Sequence, residues 1–123
     1  MGEVALDASV AIGFLDPADA HHERAVAALR ELDRVDLTMS ASAYSETLVR
    51  PLALGHADAV EDFVAGLQIA IVPLDRRIAR RAAELRAEHE NLRLPDAMAL
   101  ATAEIRDARL LTFDDSLARL SAG

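Results

Sequence analysis

Four acidic side chains occupy places in the sequence where a metal ion or a proton-transfer reaction could use them. Asp7 ends a short apolar run, and Asp114 lies two residues after another apolar run that ends at Thr112. Asp96 lies at the start of a long apolar helix, and Glu46 lies in the first turns of an earlier helix. In a parallel α/β sheet, ligands bind outside the carboxyl ends of the strands. The pattern therefore predicts one acidic site assembled from distant parts of the chain.

Carboxylates crowded in this way repel one another, and their pKa values rise unless a cation lies between them. Mg²⁺ and Mn²⁺ prefer oxygen ligands, and they bind through a few carboxylates, water molecules and substrate phosphate. One such ion can generate an attacking hydroxide, and a second, roughly 4 Å away, can stabilise the departing oxygen of a phosphodiester. The candidate chemistry is therefore metal-dependent phosphodiester hydrolysis.

Each acid also has a structural interpretation. Asp7 could end a strand or cap the helix that follows it, and Glu46 could pair with Arg50 one helical turn later. Asp96 fits the first turn of a helix, where the helix dipole favours a negative charge. Asp114 could cap the last helix. Any one of these interpretations would be sufficient for a single acid, but the joint placement of all four favours a metal site.

The composition excludes several classes of site. All thirteen basic residues are arginine, so a phosphate-binding loop with its obligatory lysine is absent. There is no cysteine, which excludes disulfides, thiolate zinc and thiol nucleophiles. The net charge of −8 opposes nucleic-acid binding unless bound cations or local arginines offset it. Without a membrane-length apolar run or a signal-peptide start, we expect a cytoplasmic protein that does not associate with a membrane.

Three arginines are candidates for contact with a phosphate-bearing substrate. Arg76 and Arg80 belong to the densest basic patch, on a helix predicted over 75–90. That patch has a second interpretation, a solvated face paired with nearby glutamates. Arg93 is closer in sequence to Asp96 and is the better candidate. The four histidines have no metal-ligand spacing such as HExxH, so we expect all of them in solvent.

The rest of the chain predicts the elements that must position the acids. Strands are predicted over residues 3–7, 37–39, 68–74 and 109–112. Helices are predicted over residues 8–16, 56–67, 75–90, 95–105 and 116–120. A further helix is predicted to begin after its cap, Asp19, and to run through Leu32. Another is predicted to begin after Ser40 or Ser42 as its cap, and to kink or end at Pro51. Short strands alternating with helices imply a single α/β domain over residues 1–123, with a parallel sheet and helices on both faces.

Four sequence motifs together resemble the PIN domain, and in particular the VapC-type toxins of bacterial toxin–antitoxin pairs. They are LDASV (Leu6–Val10), SETL (Ser45–Leu48), LPDAMALATA (Leu94–Ala103) and LLTFDDSL (Leu110–Leu117). The resemblance covers essentially the whole chain, with the motifs in the family's order. None of the motifs is specific alone, because an aspartate after a strand is common.

The resemblance implies a three-layer α/β/α sandwich with a mainly parallel sheet of four to five short strands, and a Mg²⁺- or Mn²⁺-dependent endoribonuclease. It implies Asp7 and Asp96 as principal metal ligands, Glu46 as a ligand or supporting acid, and Asp114 as the acid after the last strand. Ser9 and Thr112 match supporting positions of the family. Many relatives carry an asparagine or a basic residue near Phe113 or Asp115, so either Asp114 or Asp115 could face the metal; we favour Asp114.

The same resemblance implies an RNA substrate (tRNA, rRNA or mRNA), a cognate VapB-type antitoxin and a homodimer. The antitoxin is expected in a groove near the early helices. Most of the apolar stripe of Ala11, Ile12, Phe14 and Leu15 with Ala25, Val26, Leu29 and Leu32 is expected in the core, but part of it could serve the antitoxin or a homodimer interface. One alternative is a non-catalytic PIN-like module that binds RNA or protein. A less favoured alternative is an acidic-pocket phosphotransfer domain. Some of those folds need a lysine, which this chain lacks, and others need a second aspartate at the position that Ser9 occupies.

Overall fold

The computed structural model describes residues 2–122 of the 123-residue chain. Its central sheet contains the strands β1 (Glu3–Leu6), β2 (Asp36–Ser40), β3 (Ala70–Val72) and β4 (Arg109–Leu111). The strands lie in the order β3-β2-β1-β4, and every neighbouring pair is parallel. The predicted parallel sheet of four to five short strands is therefore confirmed.

Helices cover both faces of this sheet. They are α1 (Ala8–Leu15), α2 (His22–Glu31), α3 (Ala41–Leu54), α4 (Ala57–Gly66), α5 (Arg76–Glu88), α6 (Leu94–Ile105) and α7 (Asp115–Ala122). One hydrophobic core joins the sheet to α1 through α4, and a second core joins it to α5, α6 and α7. The fold is the expected three-layer α/β/α sandwich. No helix in residues 2–122 is both long enough and apolar enough to cross a lipid bilayer.

Strand β1 is buried on both faces, as the central strand of a parallel sheet must be. Val4 and Leu6 contribute to the core shared with α1 through α4, whereas Ala5 contributes to the core shared with α5 to α7. β1 pairs with β2 on one side and with β4 on the other. Its carboxyl end therefore lies where the strand order reverses, which is where such folds bind ligands.

Helices α1 and α2 approach closely because residue 13 is glycine. A Cβ atom at Gly13 would lie 3.3 Å from the carbonyl oxygen of His21 and 3.4 Å from Cβ of Ala25. The Gly13 carbonyl oxygen also lies 2.8 Å from Nδ1 of His22.

The expectation that every histidine lies in solvent was wrong for His21, His22 and His89, which are half-buried.

Pro51 was expected to kink or end its helix, but α3 continues through it to Leu54. The helix ends where Gly55 adopts a left-handed conformation with φ of 78°. The backbone nitrogen of His56 donates to the carbonyl of Pro51, and that of Gly55 to the carbonyl of Leu52, at 2.7 and 3.3 Å. This pair of bonds is a Schellman cap. A glycine-based cap thus fixes the end of the helix, and Pro51 does not.

Three other boundaries differ from expectation, and a fourth is decided between two expected alternatives. The predicted strand 68–74 shrinks to Ala70–Val72, because β3 is an edge strand that pairs with β2 alone in the described sheet. His21 occupies the N-cap position of α2, while the Asp19 side chain accepts a bond from the His21 backbone nitrogen. Of the two expected caps of α3, Ser40 is the one that accepts from the backbone nitrogen of Ala43. Helix α7 is longer than predicted and begins at Asp115.

Candidate active site

Asp7 leaves the sheet at the junction between β1 and β4. Its backbone nitrogen donates to the carbonyl of Leu111 at 3.0 Å, which extends the pairing of the two strands by one residue. Its side chain is buried, and the residue is only 4% exposed. Asp7 occupies the N-cap position of α1 but makes no side-chain capping bond. The capping interpretation therefore does not account for this buried carboxylate.

Two hydroxyl groups hold the Asp7 carboxylate. Oδ2 accepts hydrogen bonds from Oγ1 of Thr112 at 2.8 Å and from Oγ of Ser9 at 3.2 Å. Burial raises the pKa of Asp7, the bond from Thr112 lowers it in part, and the negative charge of Asp96 raises it further. The ionised form of Asp7 is thus held at an energetic disadvantage that a cation would relieve.

The same two hydroxyls connect Asp7 to the segment after β4. Oγ of Ser9 accepts from the backbone nitrogen of Phe113 at 3.0 Å, and Oγ1 of Thr112 accepts from the nitrogen of Asp114 at 3.1 Å. The supporting positions predicted for Ser9 and Thr112 are therefore at the acidic site. Their arrangement fixes the position of the chain between Thr112 and Asp114 relative to Asp7.

A hydrogen bond between two helix starts brings Glu46 near Asp96. Oγ of Ser42, in the first turn of α3, donates to the carbonyl of Pro95 in the first turn of α6 at 3.0 Å. Sequence reasoning treated Ser42 only as a possible cap and missed this contact, for which the sequence carries no signal. The consequence is a fixed relation between the helix that carries Glu46 and the helix that carries Asp96.

Arg93 bridges the carboxylates of these two helices. Its Nε and Nη2 atoms bind Oδ2 and Oδ1 of Asp96 at 3.1 and 3.2 Å, and Nη2 also binds Oε2 of Glu46 at 3.2 Å. The side chain of Arg93 is 65% exposed, against 30% for Glu46 and 14% for Asp96. Glu46 thus pairs with Arg93 rather than with Arg50, the partner that the structural interpretation expected.

Asp7, Glu46 and Asp96 lie close enough together for the negative charge of one acid to raise the pKa of another. Burial raises the pKa of Glu46, the Arg93 guanidinium lowers it in part, and the negative charges of Asp96 and Asp7 raise it again. Hydrogen bonds to Asp96 raise the pKa of Arg93, so its guanidinium stays charged. The structure therefore brings together Asp7, Glu46 and Asp96, with one arginine among them.

Asp114 lies at the edge of this group. It is exposed, and its Oδ1 accepts from the backbone nitrogen of Leu117 at 2.9 Å, so it does cap α7. It also lines a cleft of about 480 Å³ together with Asp96 and Arg93. Asp115 is the first residue of α7 and is not part of the cleft wall. This geometry favours Asp114 over Asp115 as the acid of the site.

The cleft has polar residues that sequence reasoning did not single out as candidates. His89, Asn91 and Arg119 line it beside the acids. In the sequence, the only sign of their role is that they lie near Asp96 or Asp114. Polar residues near an aspartate are too common for this to identify a binding site. Arg76 and Arg80 are not in the cleft wall, and Arg80 pairs with a glutamate of its own helix, Glu84, at 3.6 Å.

A second feature missed from the sequence lies against Phe113. The guanidinium carbon of Arg24 lies 4.3 Å from the centre of the Phe113 ring, and the ring centre of His21 lies 5.3 Å away. The backbone of Phe113 is bonded to Ser9, as described above. A cation–π contact and an aromatic contact therefore support the segment that joins Thr112 to Asp114.

The donors at the site suit a hard divalent cation, but their side chains are not arranged as a ligand set. Carboxylate oxygens are the ligands that Mg²⁺ and Mn²⁺ prefer, and the mutual repulsion of these acids favours a cation. Within residues 2–122, no group of three or more His, Asp or Glu side chains is placed to hold a metal ion. Glu46 and Asp96 bind Arg93 instead. Sharing an ion with Asp7 would therefore require the contacts of Arg93 with Glu46 and Asp96 to break.

The model of the PIN domain family matches residues 4–123 of the chain. The chain belongs to the PIN-domain family. A comparison with curated protein sequences finds no match. The resemblance drawn from the four sequence motifs is thus confirmed at the level of the family, and the PIN-domain sandwich is the fold described above.

Solved structures share this PIN-domain fold at low sequence identity. VapC20 of Mycobacterium tuberculosis, described as a sarcin–ricin loop cleaving toxin, has a TM-score of 0.83 at 15% identity, over 95% of this chain and 94% of that one. A toxin–antitoxin complex from Klebsiella pneumoniae has a TM-score of 0.76 at 24% identity, over 89% and 84% of the two chains. FitAcB from Neisseria gonorrhoeae has a TM-score of 0.75 at 22% identity, over 97% and 93%.

Proposed function

We propose that this PIN domain is an endoribonuclease that hydrolyses RNA phosphodiester bonds with Mg²⁺ or Mn²⁺. The observation that carries the proposal is that Asp7, Glu46 and Asp96 lie within electrostatic range of one another at the carboxyl ends of the strands, and that Asp96 lines a cleft there. Asp114 is the fourth proposed acid. Within residues 2–122, neither a capping bond nor a salt bridge of Asp7 offsets the cost of burying this carboxylate near two other negative charges.

Each proposed residue has a task that follows from its contacts. Asp7, Asp96 and Asp114 are the proposed metal ligands, and Glu46 is a ligand or a supporting acid. Held by these residues, a divalent cation would activate water for attack on the phosphodiester and would offset negative charge on the departing oxygen. Thr112 and Ser9 keep the Asp7 carboxylate in one orientation.

Positive charge at the cleft is expected to bind the RNA backbone. Arg93 and Arg119 both line the cleft, and an arginine guanidinium can bind two phosphate oxygens at once. Arg76 and Arg80 remain predicted contacts for RNA that extends beyond the cleft. Cations at the acids and arginines at the cleft would together offset the net charge of −8.

We expect the purified protein to cleave RNA in Mg²⁺ or Mn²⁺ and to lose this activity in EDTA. Excess Mg²⁺ added after EDTA should restore cleavage, because the chelator removes only the cation. Sarcin–ricin loop RNA is the first substrate to test, beside tRNA, rRNA and mRNA, since VapC20 is described as cleaving that loop. The readout is the mapping of RNA ends on a sequencing gel. Cleavage that persists in EDTA would contradict the metal dependence, and RNA binding without cleavage would favour the non-catalytic module.

An apolar groove supports the proposal that the chain is a toxin held by an antitoxin. The groove measures about 410 Å³ and lies among α1, α3 and α4. Its wall includes Ile12, Leu15 and Leu54, and Glu46 of the acidic site lies at its border. The structural neighbour from Klebsiella pneumoniae is described as a toxin–antitoxin complex. An apolar antitoxin segment seated here would reach the acids and could lend them basic side chains.

Replacement of Ile12 by aspartate should weaken capture of the proposed cognate VapB-type antitoxin. Ile12 is 36% exposed and lines the groove, so a charge there would be buried by the partner. Leu74→Asp is the matched control, because Leu74 is 46% exposed and lies outside the groove wall. Co-purification of tagged variants with the co-expressed antitoxin gives the result. Equal capture by both variants would place the antitoxin elsewhere.

We propose one nuclease domain over residues 1–123 that forms a homodimer in the cytoplasm. The exposed apolar residues of α3, Val49 at 67% and Leu52 at 60%, are the expected contact with the second copy. Light scattering on a size-exclusion column measures the mass directly, and a monomer at micromolar concentration would contradict the dimer.

A further inference from the structure

Arg93 holds the two most accessible acids of the trio in a defined geometry. Its Nε and Nη2 atoms form a fork on both oxygens of Asp96, and Nη2 extends to Oε2 of Glu46. Side-on pairing of this kind is the strongest that arginine makes with a carboxylate. The oxygens that a divalent cation would need are therefore already bound to a positive charge from the same chain.

A structural role in starting α6 does not explain this arrangement. Arg93 occupies the N-cap position of α6 but makes no side-chain capping bond. The first turn of the helix is already fixed by the bond from Ser42 to the carbonyl of Pro95. The Arg93 side chain is 65% exposed, so its packing contributes little to the core. What its guanidinium does is neutralise charge between Glu46 and Asp96.

We propose that Arg93 is an internal counter-ion that competes with divalent cations for Glu46 and Asp96. A guanidinium and a metal ion cannot both take the same carboxylate oxygens, and their positive charges repel each other. Binding of the ion therefore turns Arg93 away from both acids. This inference rests on the proposed metal-dependent function, and it adds that the chain itself lowers its affinity for the metal.

The geometry allows this exchange without rearrangement of the fold. Arg93 is exposed and precedes the helix, so its side chain can move into the neighbouring cleft, whose wall it already forms. Glu46 and Asp96 then regain the rotamer freedom that a shared ligand set with Asp7 requires. In the metal-free protein, the same contacts limit the repulsion among the three acids. Arg93 thus acts as a positioning residue that sets the metal concentration at which the site assembles.

The test compares Mn²⁺ affinity, without RNA, in the wild type, Arg93→Gln and Arg119→Gln. Titration at low ionic strength, followed by the electron paramagnetic resonance signal of unbound Mn²⁺, measures the affinity directly. Loss of one positive charge near a doubly charged ion is expected to tighten binding by about fivefold in Arg93→Gln. Arg119 lines the same cleft but bonds to Ser116, so Arg119→Gln controls for charge removal alone and should change binding by less than about twofold.

Each outcome of the titration has a distinct meaning. Equal or weaker Mn²⁺ binding in Arg93→Gln overturns the competition and leaves the nuclease proposal intact. Equal tightening in both variants also overturns it, since the effect would then not depend on the contacts to Glu46 and Asp96. Absence of Mn²⁺ binding in every variant overturns both the inference and the proposed metal dependence.

A second readout follows Arg93 itself and needs no substitution. The Nε–Hε group of Arg93 is bonded to Asp96 in the metal-free protein, so its ¹⁵N resonance should be protected from rapid solvent exchange. Titration with Mg²⁺ should shift this resonance and speed its exchange, with a midpoint equal to the affinity for the ion. An unchanged Arg93 resonance at saturating Mg²⁺ would show that the arginine stays in place, which contradicts release.

Discussion

Replacement of Asp7 by asparagine is expected to reduce Mg²⁺-dependent RNA cleavage by about 100-fold or more. The amide can still accept hydrogen bonds from Thr112 and Ser9, so the local fold should persist. It loses the negative charge that a divalent cation would bind. Initial cleavage rates at saturating Mg²⁺ give the measurement. Asp36→Asn is the matched control, because Asp36 is exposed at the amino end of β2, away from the carboxyl ends of the strands where the acids lie. Its replacement should leave the cleavage rate unchanged.

The same substitution should make the metal-free protein more stable at neutral pH. Burial raises the pKa of Asp7 above its ordinary value of 3.8, so the fold favours the protonated acid. The contribution of Asp7 to stability is therefore full below that ordinary value and is lost as pH rises through the raised pKa. Asp7→Asn should then unfold at a temperature on the order of a few degrees higher than the wild type at pH 7. At pH 4 the difference should shrink.

Thermal unfolding in EDTA, followed by circular dichroism, tests this expectation. If Asp7→Asn lowers the unfolding temperature at pH 7 while the Asp36→Asn control does not, the carboxylate is a stabilising group. The loss of cleavage could then come from damage to the fold. If activity is retained while stability rises, Asp7 is buried at a cost but is not part of the reaction site.

Asp96→Asn is expected to cause a loss of cleavage of similar size, about 100-fold or more, with a different effect on stability. Asp96 lies in the first turn of α6 and binds the exposed Arg93. Loss of its interaction with the helix dipole and with that exposed arginine should cost about 1 kcal/mol or less of unfolding free energy. Cleavage rate and chemical denaturation, measured on the same preparation, separate the two effects.

Asp58→Asn is the matched control for Asp96. Asp58 is an exposed aspartate in the first turn of α4, so it has the same relation to a helix dipole without the acidic site. It should lose a similar amount of stability and keep full activity. If both Asp7→Asn and Asp96→Asn retain wild-type cleavage, the proposed site is wrong.

Local signals in the sequence were sufficient to predict most of the fold. An apolar run that stops at Asp7 predicted β1, and an apolar run that ends at Thr112 predicted β4. Helical spacing of apolar residues predicted α2 and α4. The predictions failed where another contact, either local or tertiary, outweighed the structural preference of the residues themselves. Pro51 removes one backbone donor, yet α3 runs on to its Schellman cap at Gly55. The β-branched run 68–74 became a strand only where β2 is available as a partner.

The sequence was sufficient to predict which acidic residues lie near one another in the structure, but not the contacts that they make. Parallel topology places the ends of β1 and β4 side by side, which is why Asp7 and Thr112 could be expected to meet. The bridge from Arg93 to Glu46 joins residues 47 positions apart, and the bond from Ser42 to Pro95 spans 53. Neither contact has a periodic pattern or a spacing rule behind it. Only the packing of α3 against α6 brings these groups together.

The pairing of β1 with β4 has a consequence for synthesis in the cell. The partners of Asp7 span sequence separations of up to 105 residues, because its carboxylate is held by Thr112. A ribosome adds residues one at a time, at about 5–20 per second, and the early part of a chain can begin to fold first. The arrangement around Asp7 therefore cannot form until residue 112 has emerged. A nascent chain arrested before that point would lack the complete acidic site, so truncated translation products should be harmless to RNA.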